Sequence, residues 1–426
     1  LFHKLLSVGE TPLLLEWLSS CARADLRLPP AALPALLDAA TRRLDNRAAL
    51  KVPAAVVAGP PGIWLCRLNP EWSALVAEDA SVDATEIWQT GTKGERLAAL
   101  RRLRASDPAA ARALLTSTFA SEPAGDRAAF VDALSVGLGP DDEPFLETAL
   151  ADRSKEVRST TAALLTRLPG SALVTRMIAR LAPLIAYEPG EPAKLLRKAK
   201  PAKLAIELPA ECDDAMKRDG IDPKPPAGAG YGERQYWLLQ MLSMTPPSHW
   251  CNAFSATPAI LLEAIPKDHA DLMKVAWNNA TVNSSDPDWA EAYVRLGSEE
   301  NNLRINQHLV KLLRPSRRDD VVYDILLTGG LSSSAISDLV SSGPLDARSA
   351  RVVMKWAAER AGTIKTNHDY EMAQLLPALA LAVPPSLLPE FEVAWPVEAF
   401  TSARNAHDKF FATLALRSQI QKEFSQ

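Results

Sequence analysis

Arg96, Arg127 and Arg158 stand 31 residues apart, and Leu103, Leu134 and Leu165 keep the same step. So do Leu115, Leu146 and Met177, and Phe119, Leu150 and Leu181. Self-similarity at a fixed period of this length, with apolar positions on helical spacing, predicts stacked helix pairs, because one pair cannot bury its apolar face alone. Such a stack presents an extended surface to partners, so the repeat constrains architecture more tightly than it constrains chemistry.

The spacing predicts three pairs within residues 93–185: Gly94–Arg104 with Pro108–Phe119, Asp126–Leu138 with Glu143–Leu150, and Lys155–Leu168 with Ala172–Ile185. Asp107-Pro108, Gly139-Pro140 and Pro169-Gly170 interrupt the helices and permit each reversal. In the third unit, Asp152-Arg-Ser-Lys-Glu-Val157-Arg158 precedes Ala162, Ala163, Leu164, Leu165 and Leu168. This stretch resembles the second helix of a HEAT repeat, in which an Asp caps the inter-helix turn, a Val-Arg pair opens the helix and small residues let neighbours approach. The alternative is an ordinary helical bundle with a chance Asp-Val-Arg match.

The regularity fades on both sides. Residues 1–92 read as an N-terminal helical region, with helices after Thr11-Pro12 and Pro29-Pro30. Gly59-Pro60-Pro61-Gly62 begins like a phosphate loop, but no Gly-Lys-Ser/Thr follows, so a tight turn is the better reading, with Trp64 and Trp72 as core anchors. Residues 186–232 hold seven prolines and are locally basic through Lys194, Arg197, Lys198, Lys200 and Lys203, which predicts an irregular insertion or hinge. Residues 233–426 return to helix without the 31-residue step. The expected fold is therefore all-α, a right-handed HEAT-like α-solenoid of helix pairs with a Pro-rich insertion between two helical halves.

Composition narrows the function classes. Net charge is −4, which makes no electrostatic case for nucleic acid as the default partner, although a local basic face can still exist. Cys21, Cys66, Cys212 and Cys251 are widely spaced and form no CxxC pair, which points to free thiols in a reducing cytoplasm. No apolar run reads as reaching the ~20 residues that span a bilayer, so no membrane partner is expected.

Candidates for chemistry are few. No His-Glu-x-x-His stands among the six histidines, so no metal site, cofactor or catalytic set is expected. His249 beside Cys251 is the one cluster of reactive residue types, and a hydrolase would need these residues or an acidic pair to converge in a pocket. Asp141-Asp142-Glu143 reads as an acidic helix N-terminus, and Asp213-Asp214 as a solvated pair able to meet a cation. The arginines of the repeat admit two readings: phosphate contacts along a concave face, with Arg101, Arg104 and Arg127 lining it, or internal pairing with carboxylates of the next unit. Glu233 and Arg234, delivered by Gly232 at a helix start ahead of Tyr236 and Trp237, join Arg101, Arg104, Arg127, Lys194, Arg197 and Lys198 as partner-binding candidates.

Several landmarks together resemble a bacterial family of helical proteins of unknown function: Gly62-Ile63-Trp64-Leu65, Leu68-Asn69-Pro70-Glu71-Trp72, Gly94-Glu95-Arg96, Asp152–Leu168, Lys217-Arg218-Asp219-Gly220-Ile221 and Gly232-Glu233-Arg234 with Trp237-Leu238. They cover residues 59–245. The resemblance implies genes placed beside MoxR-type AAA ATPases, von Willebrand A-domain proteins and SWIM zinc-finger proteins, and supplies no catalytic residues. The expectation is a non-enzymatic scaffold or adaptor for an AAA ATPase and a von Willebrand A-domain protein; the alternative is a nucleic-acid-binding repeat protein.

Overall fold

The structure, a computed structural model, describes residues 1–42, 47–75, 84–191, 199–299, 307–328, 332–363, 370–395 and 404–425. Among these residues there are 24 α-helices and a single two-stranded antiparallel sheet, so the fold is all-α.

The chain forms two compact units. One comprises Leu1–Val82, Glu300–Gln307 and Pro315–Gln426; the other comprises Asp83–Glu299 and His308–Arg314. In the first unit the helix Thr11–Arg23 packs on Arg404–Glu423. Leu13, Leu14, Leu18, Leu416 and Ile420 share one core cluster with Leu36, Leu50 and Val57. Arg417 donates to Glu16 at 2.7 Å, and Trp17 donates to Glu423 at 3.2 Å. In the sequence these helices lie in the separate regions 1–92 and 233–426.

The same unit resolves the Gly-Pro-Pro-Gly stretch. It lies inside a helix, Arg47–Leu68, bent where Gly59 adopts φ 58° and ψ −164°. A side chain there would collide with Arg27. Trp72 donates to Asp38 at 2.9 Å, as an anchor should, but Trp64 is 61% exposed and anchors nothing. Ala49–Leu68 is also long and apolar enough, by length and composition alone, to cross a membrane, as is the bent pair Met372–Ala382 with Pro385–Val393. Ala49–Leu68 meets this measure despite Lys51, Arg67 and its prolines and glycines. Its Leu50, Ala54, Val57 and Ala58 are buried in the core cluster.

The second unit holds the repeat. Thr92 caps the helix Lys93–Ser106 in a reciprocal box with Glu95. Asp107 caps Pro108–Thr118 by accepting from Ala110 N at 2.9 Å. The first helices of the pairs, Lys93–Ser106, Ala124–Ala133 and Lys155–Leu165, pack in succession. Ala99, Leu100, Phe130, Val131, Leu134, Leu164 and Leu165 are buried. Glu143–Ala149 and Ala172–Leu181 pack as second helices against Lys155–Leu165. The last of these was predicted to reach Ile185. It stops at Leu181 ahead of Pro183, and Ile185 instead opens a strand.

The proline-rich segment is ordered where it is described. Ile185–Glu188 pairs antiparallel with Lys203–Ile206, Ile185 opposite Ile206, and a short helix Asp214–Arg218 follows. The irregular backbone is held by side chains of the next helix, Glu233–Ser243. Trp237 donates to Pro223 O at 2.9 Å, and Gln240 both accepts from Asp222 N and donates to Asp222 O. Such bonds satisfy backbone groups that no ladder or helix can reach. Packing continues past this segment, because Ala172–Leu181 contacts Glu233–Ser243, which contacts Ala270–Ser284.

Candidate functional site

Two of the three repeated arginines are answered by acids in the turn ahead of the next unit. Arg96 pairs with Glu122, 26 residues on, and Arg127 pairs with Asp152, 25 residues on, through two bonds of 2.7 and 2.8 Å. Arg96 also lies over Trp88 and Phe130, at 4.4 and 5.0 Å from the ring centroids. Each guanidinium thus reaches the turn that opens the next unit. Arg158 departs from this: it donates to the carbonyls of Asp152 and Arg153, and Pro183-Leu184 stands 25 and 26 residues on, where the next acid is due.

Arg104 is the most deeply embedded of the candidates. Its side chain is 0% exposed and it grips Asp142, itself 1% exposed, with bonds of 2.9 and 2.7 Å. The same guanidinium also donates to the carbonyls of Pro108, Leu134, Val136 and Gly137, with one Nη2 N–H shared between acceptors. Arg112 approaches the same carboxylate at 2.8 Å. Burial by itself raises the Asp142 carboxyl, but the bonds from Arg104, Arg112 and Gly139 N–H outweigh it and hold the group below its ordinary value. Asp152 follows the same pattern: burial raises it, and Arg127 and Ser154 N–H bring it down. The expectation that Arg104 and Arg127 meet a partner is therefore corrected, since both are buried with their charge spent inside the unit. Nothing in the local sequence marks Asp142 as an arginine acceptor rather than a helix-end acid, and Glu122 and Asp152, 30 residues apart, do not share the 31-residue step of the arginines.

The other candidates fall elsewhere. Arg101 is exposed and pairs with Asp132 at 3.1 Å. Arg234 clamps the irregular segment by donating to Leu208 O and Pro209 O, while Glu233 is exposed in the first helical turn. Lys194, Arg197 and Lys198 lie outside the described residues. His249 and Cys251 lie on either side of Trp250 in Ser248–Phe254, and burial pushes the imidazole down and the thiol up. A thiolate–imidazolium nucleophile needs the opposite shift at the thiol. Asp213 caps its helix and Asp214 pairs with Lys217. Among the described residues no group of three or more His, Cys, Asp or Glu is placed to hold a metal ion.

What the repeat leaves open is a groove. The second helices Pro108–Thr118 and Glu143–Ala149 flank a cavity of about 790 Å³ lined by Ala109, Ala113, Thr116, Phe119, Pro144 and Phe145. Leu115 and Leu146 turn inward and are buried, which leaves the small residues of the first helix outward. Phe119 and Phe145 meet edge to face at 5.1 Å. Arg112, bound to Asp142, closes one end, and Asp141 is exposed on the rim. An apolar trough with small walls and one acidic lip can take bulky apolar side chains from another chain, with a cation beside them.

Residues 1–424 match a family described as a family of unknown function (DUF5691), and the chain belongs to it. No curated protein and no solved structure matches the chain.

Proposed function

We propose that this family member is a non-enzymatic scaffold that binds other proteins in the cytoplasm, with a MoxR-type AAA ATPase and a von Willebrand A-domain protein as its partners. The observation that carries the reading is the apolar groove between Pro108–Thr118 and Glu143–Ala149. The unit around it is a HEAT-like stack, in which each helix pair contacts its neighbours and offers one face outward. The occupant is a helix of the partner that sets apolar anchors over Phe119 and Phe145 and a basic residue beside Asp141. The likeness of the landmark stretches to a family encoded beside such ATPases supports the choice of partner. The nucleic-acid reading is weakened by the burial of Arg104 and Arg127.

The test is direct binding to the purified ATPase and to the A-domain protein encoded alongside. Ala113 and Thr148 are exposed on the groove walls, so Ala113→Glu and Thr148→Glu leave the core untouched. Each is expected to weaken binding about tenfold or more, the loss typical of an interface anchor. Wild-type protein that binds neither partner, or variants that bind as well as wild type, would overturn the proposal.

A further inference from the structure

A second concavity in the same unit has different chemistry. The helix Lys155–Leu165 sends Lys155, Arg158 and Ser159 along one face of its opening turns. The loop after Asp214–Arg218 folds over this helix. It can do so because Gly220 adopts φ 90°, and a Cβ there would stand 3.0 Å from the Ala162 methyl. Asp219, ahead of that glycine, is locked by Arg176 and Arg180 at 2.8 and 2.7 Å, which fixes the loop. Tyr236 and Gln240 of Glu233–Ser243 form the third wall. Together with Lys217, Asp222 and Pro223 these residues enclose about 380 Å³, within the range of small-ligand sites.

The lining is rich in donors. Lys155, Arg158 and Lys217 face the cavity, against one carboxylate, Asp222. Arg158 spends a single amino group, Nη1, on the carbonyls of Asp152 and Arg153. Its Nε and Nη2 groups, the Ser159 hydroxyl and the Tyr236 hydroxyl make no hydrogen bond among the described residues. Lys155 is held by Asp222 at 2.6 Å, but its side chain is 71% exposed and can turn. Lys217 pairs with the fully exposed Asp214. A cation fork with an unused edge, two mobile ammonium groups and two hydroxyl donors suit a tetrahedral oxyanion.

We propose that this cleft binds the phosphate group of a small phosphorylated ligand, with Arg158 as the fork, Lys155 and Lys217 as charge partners and Tyr236 and Ser159 as neutral donors. Asp222 occupies Lys155 when the ligand is absent and is displaced from it on binding. The inference stands apart from the groove on Pro108–Thr118 and does not depend on which protein docks there.

The test is calorimetric titration of the full chain with inorganic phosphate, pyrophosphate and adenosine monophosphate, with chloride at equal ionic strength as control. Lys155→Met and Lys217→Met replace exposed side chains and leave the fold intact; each is expected to weaken binding several-fold, and Arg158→Met by about tenfold or more. Asp222→Asn is expected to tighten binding, because it frees Lys155 and removes the facing negative charge. That gain is a result that loss of structure cannot mimic. The proposal is overturned if none of the three anions binds, if the lysine variants bind like wild type, or if Asp222→Asn weakens binding.

Discussion

Asp142 shows how one carboxylate can organise a repeat. It stands between Arg104 and Arg112 and is almost wholly buried. Removing it strands a buried guanidinium, and breaking such a pair from one side costs about 3–5 kcal/mol. Asp142→Ala is accordingly expected to lower the unfolding free energy of the second unit by that amount in urea titrations. A change under about 1 kcal/mol would show that water or relaxation compensates the charge. The pair also has a pH signature. The folded carboxyl titrates below its unfolded value of about 4. Its contribution is therefore complete above that value and is lost as pH falls through the lower folded value. Between about pH 5 and pH 2, the acid-induced fall in stability should be shallower in Asp142→Asn than in the wild type. Parallel pH curves would refute this assignment.

At the scale of elements, the loop over Lys155–Leu165 depends on backbone freedom at one residue. Gly220 combines a positive φ with a close approach to Ala162. An L-residue in that region costs about 1–2 kcal/mol before any contact is counted. Gly220→Ala should thus destabilise the unit by at least this much and loosen the seat of Asp219 between Arg176 and Arg180. Thermal unfolding reads the first effect. A second substitution, Ala162→Gly, separates the two causes: it should restore the part due to contact and leave the part due to φ. Full recovery in the double variant would mean that crowding alone fixes the glycine. The helix Glu233–Ser243 explains why a proline-rich stretch can be ordered, since its Arg234, Trp237 and Gln240 reach back to carbonyl and amide groups that the prolines leave outside any helix.

At the scale of the whole molecule, the N-terminal helices and the last helix share a core. Arg417 ties three segments of that unit together, through Glu16 and the carbonyls of Ala380 and Val383. Arg417→Ala leaves the carbonyls of Ala380 and Val383 buried without this donor and is expected to cost the first unit about 3 kcal/mol. Hydrogen exchange should speed up in Thr11–Arg23 and Arg404–Glu423 and stay unchanged in Lys93–Ser106. Faster exchange in the repeat helices as well would contradict the division into two compact units.

By itself the sequence determined most of the helices and the repeat, but not the strands Ile185–Glu188 and Lys203–Ile206. Apolar positions at helical spacing, capping Asp and Thr residues and proline-glycine breakers are local signals, and a helix is a local structure. The internal pairing of the arginines was legible only as one of two readings, because Glu122 and Asp152 do not keep the 31-residue step and Arg158 turns to backbone carbonyls instead. Tertiary structure alone decided the rest. Asp142 reads locally as a helix-end charge until a guanidinium 38 residues away buries itself against it. The donor-lined cleft gathers side chains from residues 155 to 240, and the first unit joins residues about 400 apart. Which distant groups meet is set by how helix faces pack in three dimensions, and no local period records that.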